Sequence, residues 1–112
     1  MDNEPITIAV ESDMTVGQAV TIYGTAADSS VVDHAGKILG LARDDAAEGE
    51  EVEIHTDGPF EMEGFEPGAV LWVGQNGEIT DIIPTRGFQQ RAGIALSDTI
   101  VLIKFGEPLV LA

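Results

Sequence analysis

The amino-acid sequence predicts an all-β domain, either a small β-sandwich or a barrel. Short segments such as residues 4–10 and 51–56 alternate between apolar and polar side chains, which is the two-residue period of a half-buried strand. Turn signals, among them Asp57-Gly58-Pro59 and Gln75-Asn76-Gly77, separate such segments at intervals of about 8–12 residues. Because no stretch sustains a helical period, we expect strands to account for nearly all of the regular structure.

The first half of the chain contains strand candidates of uneven length. Ile6, Ile8 and Val10 lie on one side of the first candidate. The acidic stretch at residues 44–50 is the one place where a helical turn is plausible, although Gly49 would end it early. We expect the strands of this half at residues 4–10, 19–23, 31–32, 37–43 and 51–56.

The second half contains clearer hairpins. The Asn76-Gly77 pair is a strong short-range hairpin signal, because both residues tolerate positive φ. Ser97-Asp98 joins two further strands, and side chains of these two types imitate a turn by bonding to nearby backbone. We expect the strands of this half at residues 69–73, 78–83, 89–96, 99–105 and 109–111.

Similar short segments in the two halves of the chain indicate two pseudo-repeated β units, residues 17–59 and residues 68–108. In both, a glycine precedes a short apolar strand, and Gly40-Leu41-Ala42 in the first matches Gly93-Ile94-Ala95 in the second. Such similarities also arise by chance in β domains, so superposition of the two backbones is the test of a true duplication. Residues 17–112 are then one β domain, and residues 1–16 form an N-terminal arm or an edge strand.

Charge is the strongest global feature of the sequence. There are 20 Asp and Glu against 5 Lys and Arg, a formal net charge of −15. Such a surface repels phosphate backbones and anionic lipids, so we expect neither nucleic acid nor a membrane as a partner. Three interpretations stay open: a basic partner, solubility alone, or a halophilic protein whose mutual repulsion is screened by salt.

Candidates for catalysis are scarce, and we expect no enzymatic activity. The sequence has no cysteine. The serines lie in turn-like contexts, and the histidines His34 and His55 are best interpreted as surface residues without a metal-binding spacing. The acidic run at residues 44–53 lacks the ordered spacing of a calcium loop, so a solvated face is the better interpretation. We therefore expect no metal and no cofactor.

Partner contacts are expected at two places. Residues 1–16 precede the first repeat unit, so the apolar face of Ile6, Ile8 and Val10 either completes the domain's own sheet or adds a strand to a neighbouring chain. Large aromatic side chains flank Gly or Pro turns elsewhere, and among them Phe65 and Phe88 are the strongest candidates for a subunit interface.

A succession of motifs in residues 68–111 carries a family resemblance. A Gly-led apolar strand is followed by a Gly-centred turn and a polar strand, a Pro84-Thr85 linker, the strand Gln-Arg-Ala-Gly-Ile-Ala-Leu at residues 90–96 and a Ser turn. Residues 17–58 fit the same pattern more loosely, through Gly40-Leu41-Ala42 and the loop Ala-Ala-Glu-Gly-Glu. With these motifs the chain resembles the small decoration, or cement, proteins of tailed bacterial and archaeal viruses.

The resemblance implies a viral structural protein of the virion that binds the major capsid protein lattice on the outer capsid surface and stabilises it. It also implies a homo-oligomer, frequently a trimer, and no catalytic residues. A tail or receptor-side virion binding module with a similar β domain is the alternative. The excess of acidic residues adds the expectation of a virus whose host is salt-loving, such as a haloarchaeon.

Overall fold

The structure is a computed structural model, and it describes residues 6–111. Within that range it confirms the all-β prediction, since regular structure consists of short strands and a single 3-10 turn at Val32–His34. The strands are β1 (Ile6–Ala9), β2 (Ala19–Thr21), β3 (Ile38–Ala42), β4 (Glu51–His55), β5 (Asp57–Glu61), β6 (Val70–Val73), β7 (Ile79–Thr80), β8 (Phe88–Gln89), β9 (Arg91–Ala95), β10 (Ile100–Lys104) and β11 (Leu109–Val110).

Two antiparallel sheets contain nine of the eleven strands in residues 6–111. The first has four strands in the order β1-β4-β3-β2, and the second has five in the order β5-β10-β9-β6-β7. A separate two-stranded ladder pairs β8 with β11. No helix in the described residues is long or apolar enough to cross a membrane.

The strand orders of the two sheets correspond. If β1, β2, β3 and β4 are matched with β5, β6, β9 and β10, each sheet has its first strand beside its last, and its third beside its second. Equivalent glycines also pair equivalently, since Gly40 lies opposite Val20 and Gly93 opposite Leu71. In both sheets the register shifts directly after that partner. A duplication would produce this correspondence, but with bounds that differ from residues 17–59 and 68–108, because β1 falls in the first unit and β5 in the second. The duplication itself stays a prediction.

The predicted turn at Asp57-Gly58-Pro59 is wrong, because these residues begin β5. Only Thr56 separates β4 from β5, so the chain passes almost directly from the first sheet to the second. Gly58 has a φ of 94°, which a residue with a side chain rarely adopts. Pro59 is tolerated because β5 is an edge strand, paired only with β10.

Three other elements differ from the sequence prediction. The expected strand at residues 31–32 is replaced by turns, in which Val31 N–H bonds to Asp28 and His34 N–H bonds to Val31. The expected helical turn at residues 44–50 does not form, because Ala46 makes a two-way backbone bridge to Met14. The expected strand at residues 89–96 is interrupted at Gln90.

Two apolar clusters stabilise the fold. The larger lies between the sheets and includes Leu41 from the first and Leu71 and Val101 from the second. The smaller lies on the opposite face of the first sheet, where Val20 and Ile54 are covered by residues outside the strands. Those covering residues are Val10, Met14 and Ala46. The first sheet is therefore buried on both faces, whereas no apolar cluster covers the outer face of the second sheet within residues 6–111.

Candidate partner-binding surfaces

The first predicted contact, at the N-terminal strand, is an edge of the domain's own sheet. In β1, Ile6 pairs with Ile54 and Ile8 pairs with Val52, so the strand does not leave the domain. Ile6 remains 46% exposed, and Ile8 is half-buried against the smaller cluster. Val10 is only 1% exposed, and the expectation that it contacts a partner is corrected because it covers the smaller cluster. Residues 1–5 of the expected arm lie outside the described residues.

The two predicted aromatic contacts have different surroundings. Phe88 is 0% exposed and ranks among the largest fully buried side chains, so its assignment to an interface is corrected. Its backbone N–H also donates a hydrogen bond to the Ser29 carbonyl, which holds β8 against the loop after β2. Phe65 is half-buried against the larger cluster and keeps part of its surface exposed. Burial in a core and burial in an interface favour the same aromatic residue types, so composition alone does not separate them.

Both histidines make hydrogen bonds within the fold, and the interpretation of His55 as a surface residue is wrong because its side chain is buried. His55 is 6% exposed, with Nε2 3.1 Å from the Gly58 carbonyl oxygen and Nδ1 3.0 Å from Arg43 Nη2. Since a carbonyl only accepts, the imidazole proton is on Nε2, and Nδ1 accepts from Arg43. His34 is half-buried, and its Nδ1 accepts the Asp28 N–H at 3.1 Å. The His55 imidazole thus links the Arg43 side chain to the Gly58 backbone, and the His34 imidazole links its own turn to the Asp28 backbone.

Asp28 connects the loop after β2 to the turn before β7. Its Oδ1 accepts the Ser30 N–H at 2.9 Å and the Ser30 hydroxyl at 2.6 Å, and its Oδ2 accepts the Asn76 N–H at 3.4 Å. Partial burial by itself would raise the pKa of this carboxyl, but the hydrogen bonds from Ser30 and Asn76, with the nearby His34, lower it below the ordinary value. The ionised carboxylate therefore stabilises the junction between the two units.

Among residues 6–111, the ion pairs involve only cations of the first half of the chain. Lys37 lies 3.4 Å from Asp33, and Arg43 lies 3.9 Å from Glu53. The Lys37 ammonium holds the pKa of Asp33 below its ordinary value, first through their hydrogen bond and then through charge. Within residues 6–111, Arg86, Arg91 and Lys104 form no ion pair with a carboxylate. No group of three or more His, Cys, Asp or Glu in that range is arranged to hold a metal ion.

Two apolar surfaces were missed by the sequence reasoning. The loop after β7 exposes Ile82 by 74% and Ile83 by 43%, beside a depression of about 330 Å³ that Arg86 also lines. The outer face of the second sheet exposes Val70 by 36% and has a depression of about 310 Å³. Alternating strand patterns signal that one face is apolar, but only the packing shows which apolar residues stay uncovered.

Comparison with known proteins decides the family. The family model described as phage cement protein matches residues 2–99 of the 112-residue chain. The chain belongs to the phage cement protein family. No curated protein and no solved structure was found to match it. Family membership confirms the resemblance seen in the motifs of both halves, and it indicates a structural, capsid-stabilising component of the virion.

Proposed function

We propose that this cement protein decorates the outer surface of the capsid by binding the major capsid protein lattice, as a homotrimer and without enzymatic activity. The observation that carries the proposal is the family match over residues 2–99, which includes every strand of the two sheets except β10. A cement protein has to attach to a lattice already assembled from another chain. Its function therefore depends on exposed surface and on a rigid scaffold behind it.

The fold supplies such a scaffold and several exposed contact candidates. β1 is an edge strand that is paired only with β4, so its other side can accept a strand from a neighbouring chain. Ile6, Ile8 and Phe65 retain partial exposure and are proposed as contacts. Since Ile6 is 46% exposed and lies on that edge, it is the first of them to test.

The test uses undecorated capsids prepared from a virus lacking this gene. Purified protein is added over a concentration series, bound protein is measured by co-sedimentation, and capsid integrity is followed by heating. We expect saturable binding and a higher temperature of capsid disruption. Absence of binding at concentrations well above those in an infected cell would reject the proposal, and binding to purified tails instead would favour the tail module.

Placement and oligomeric order need separate measurements. Image reconstruction of the decorated particle should show added density on the outside of the shell, at positions of local threefold symmetry. Sedimentation velocity on the free protein then shows whether the trimer exists before binding or forms only on the lattice. Density inside the shell, or at positions without threefold symmetry, would contradict these parts of the proposal.

A further inference from the structure

Equivalent faces of the two sheets have different surroundings. In the first sheet, Ala19 lies opposite Leu41, and Leu41 lies opposite His55, across three strands. In the second sheet, the corresponding row is Val70 opposite Ile94, and Ile94 opposite Leu102. Leu102 also lies opposite Pro59, so four strands contribute to this second row. We refer to Pro59, Leu102, Ile94 and Val70 as the apolar band.

The first row is covered and the apolar band is not. Ala19 and Leu41 are both 0% exposed, because the second sheet packs over them. In contrast, Val70 and Pro59 are exposed, and Ile94 and Leu102 are half-buried. The apolar band thus has the cross-strand pattern of a packed face, but nothing within residues 6–111 packs on it.

Cations border the apolar band on one side. Arg91 and Lys104 line the same depression as Ile94, Leu102 and Phe105. Both cations are exposed, and neither forms an ion pair among the described residues. Asp57 and Glu61 flank Pro59 on the same face of β5, but neither is within ion-pair distance of these cations. The depression itself is lined by two cations and by no carboxylate, in contrast to the formal net charge of −15 for the whole chain.

We propose that the apolar band is a docking surface for an acidic partner chain, which places apolar side chains against Ile94 and Leu102 and carboxylates against Arg91 and Lys104. The inference rests on the proposed function, in that the partner is a capsid chain. Charge complementarity carries it, because cations at the rim of an apolar patch steer and orient an acidic surface. An acidic partner at this surface is the opposite of what the net charge of the whole chain favours, which is a basic partner.

A second copy of this chain is a poorer occupant. The face that covers the equivalent row inside the chain is the apolar inner face of the second sheet, which is already covered in every copy. The corresponding face of the first sheet is closed by Val10, Met14 and Ala46. The uncovered apolar sheet face that a second copy offers is its own apolar band, and contact between two such bands would bring Arg91 and Lys104 of both copies into one interface, where like charges repel.

The test compares charge reversals on and off the apolar band. Arg91→Glu changes a cation at its border, whereas Arg86→Glu makes the same change at an exposed cation that lines the other depression. In co-sedimentation with undecorated capsids at 0.1 M salt, we expect R91E to weaken binding about tenfold or more and R86E about twofold or less. The difference should shrink as salt is raised.

An apolar pair of variants tests the same surface independently of charge. Ile94→Lys places an ammonium within the apolar band, and Ile22→Lys is the control at an isoleucine that is 49% exposed and lies on neither apolar surface. Circular dichroism and urea unfolding establish that each variant is folded before binding is compared. We expect I94K to lose capsid binding and I22K to retain it.

The outcomes separate this inference from the proposed function. If the wild-type protein does not bind capsids, the proposed function fails. If the wild type binds and R91E and I94K bind equally well, the docking surface is wrong while the function stands. Tighter capsid binding by R91E would overturn the inference of an acidic partner in favour of a basic one. Loss of a wild-type oligomer in R91E, with capsid binding unchanged, would overturn it in favour of a second copy.

Discussion

The two sheets have the same strand order but differ in what covers them. The first is buried on both faces, by the second sheet and by Val10, Met14 and Ala46, whereas the second is buried only on its inner face. Residues at equivalent register positions consequently have different roles. Leu41 is a core residue and Ile94 a surface one, although each follows an equivalent glycine. One sequence pattern thus specifies a strand, and its surroundings decide whether its side chains are buried in the core or left partly exposed.

The largest expected effects come from substitutions at the equivalent glycines of the two sheets, Gly40 and Gly93. A Cβ on Gly93 would overlap the Leu102 carbonyl oxygen, and a Cβ on Gly40 would overlap the His55 carbonyl oxygen. We expect Gly93→Ala and Gly40→Ala each to lower the free energy of unfolding by about 3 kcal/mol or more, since the clash is with backbone. Urea denaturation measures both.

Gly64→Ala is the control for these glycine variants. Gly64 has a φ of 105° and no atom within 4 Å of an added Cβ, so only backbone strain acts there, at a cost of about 1 kcal/mol. Equal losses for Gly40 and Gly93 would support equivalent structural roles in a duplicated unit. A loss at only one of them would count against that equivalence.

Truncation of the equivalent apolar residues sharpens the comparison. Leu41→Ala removes a fully buried side chain and should cost about 3 kcal/mol of unfolding free energy, including the cavity that it leaves. Ile94→Ala acts on a half-buried side chain and should cost about 1 kcal/mol in the free protein. Urea unfolding of each variant checks the difference, and equal costs would mean that the second sheet is covered in solution.

The junction between the two units should depend on pH through Asp28. Because the pKa of this carboxyl is lowered in the folded protein, the ionised form contributes stability above the unfolded value of 3.8. That contribution is lost as pH falls below 3.8 through the folded pKa. We expect Asp28→Asn to lower the free energy of unfolding by about 1 kcal/mol at pH 7 and by less at pH 2. As the wild-type carboxyl becomes protonated at low pH, Ser30 and Asn76 lose their anionic acceptor in the wild type as well, and the two proteins become more alike.

Urea unfolding of wild type and Asp28→Asn across this pH range measures the effect. Ser97→Ala is a suitable reference, because Ser97 also bonds to backbone N–H groups two and three residues later but carries no charge. Its cost should stay constant with pH. A constant cost for Asp28→Asn as well would contradict a role for the carboxylate charge.

The smallest effect per group is expected from salt. With a formal net charge of −15, the melting temperature should rise between 0.1 M and 3 M NaCl as repulsion among exposed carboxylates is screened. Each exposed charge contributes little, so the rise is a sum of small terms. KCl serves as the comparison, since screening is the same for both salts. A flat or falling melting temperature would remove the halophilic interpretation.

Several features of the fold could be predicted because they depend on local signals. The alternation around Ile6 and Ile8, the Asn76-Gly77 turn and the match between Gly40 and Gly93 all correspond to elements of the structure. The family was also recognisable, since motifs in both halves carry its pattern. The failures are instructive in the same terms. Asp57-Gly58-Pro59 has turn composition, but a Pro and a positive-φ Gly also suit an edge strand that has just changed sheets.

The sequence by itself determined the all-β class, the positions of most strands, the family and the acidic surface, because periodicity, turn chemistry and charge are properties of neighbouring residues. Only the tertiary structure decided that Phe88 and Val10 are core, that His55 is buried, and that Ile94 and Leu102 stay half-exposed beside Arg91. These facts depend on which sheet packs over which. Apolar residues at equivalent positions satisfy the same local rules, and only long-range packing distinguishes a core from a docking surface.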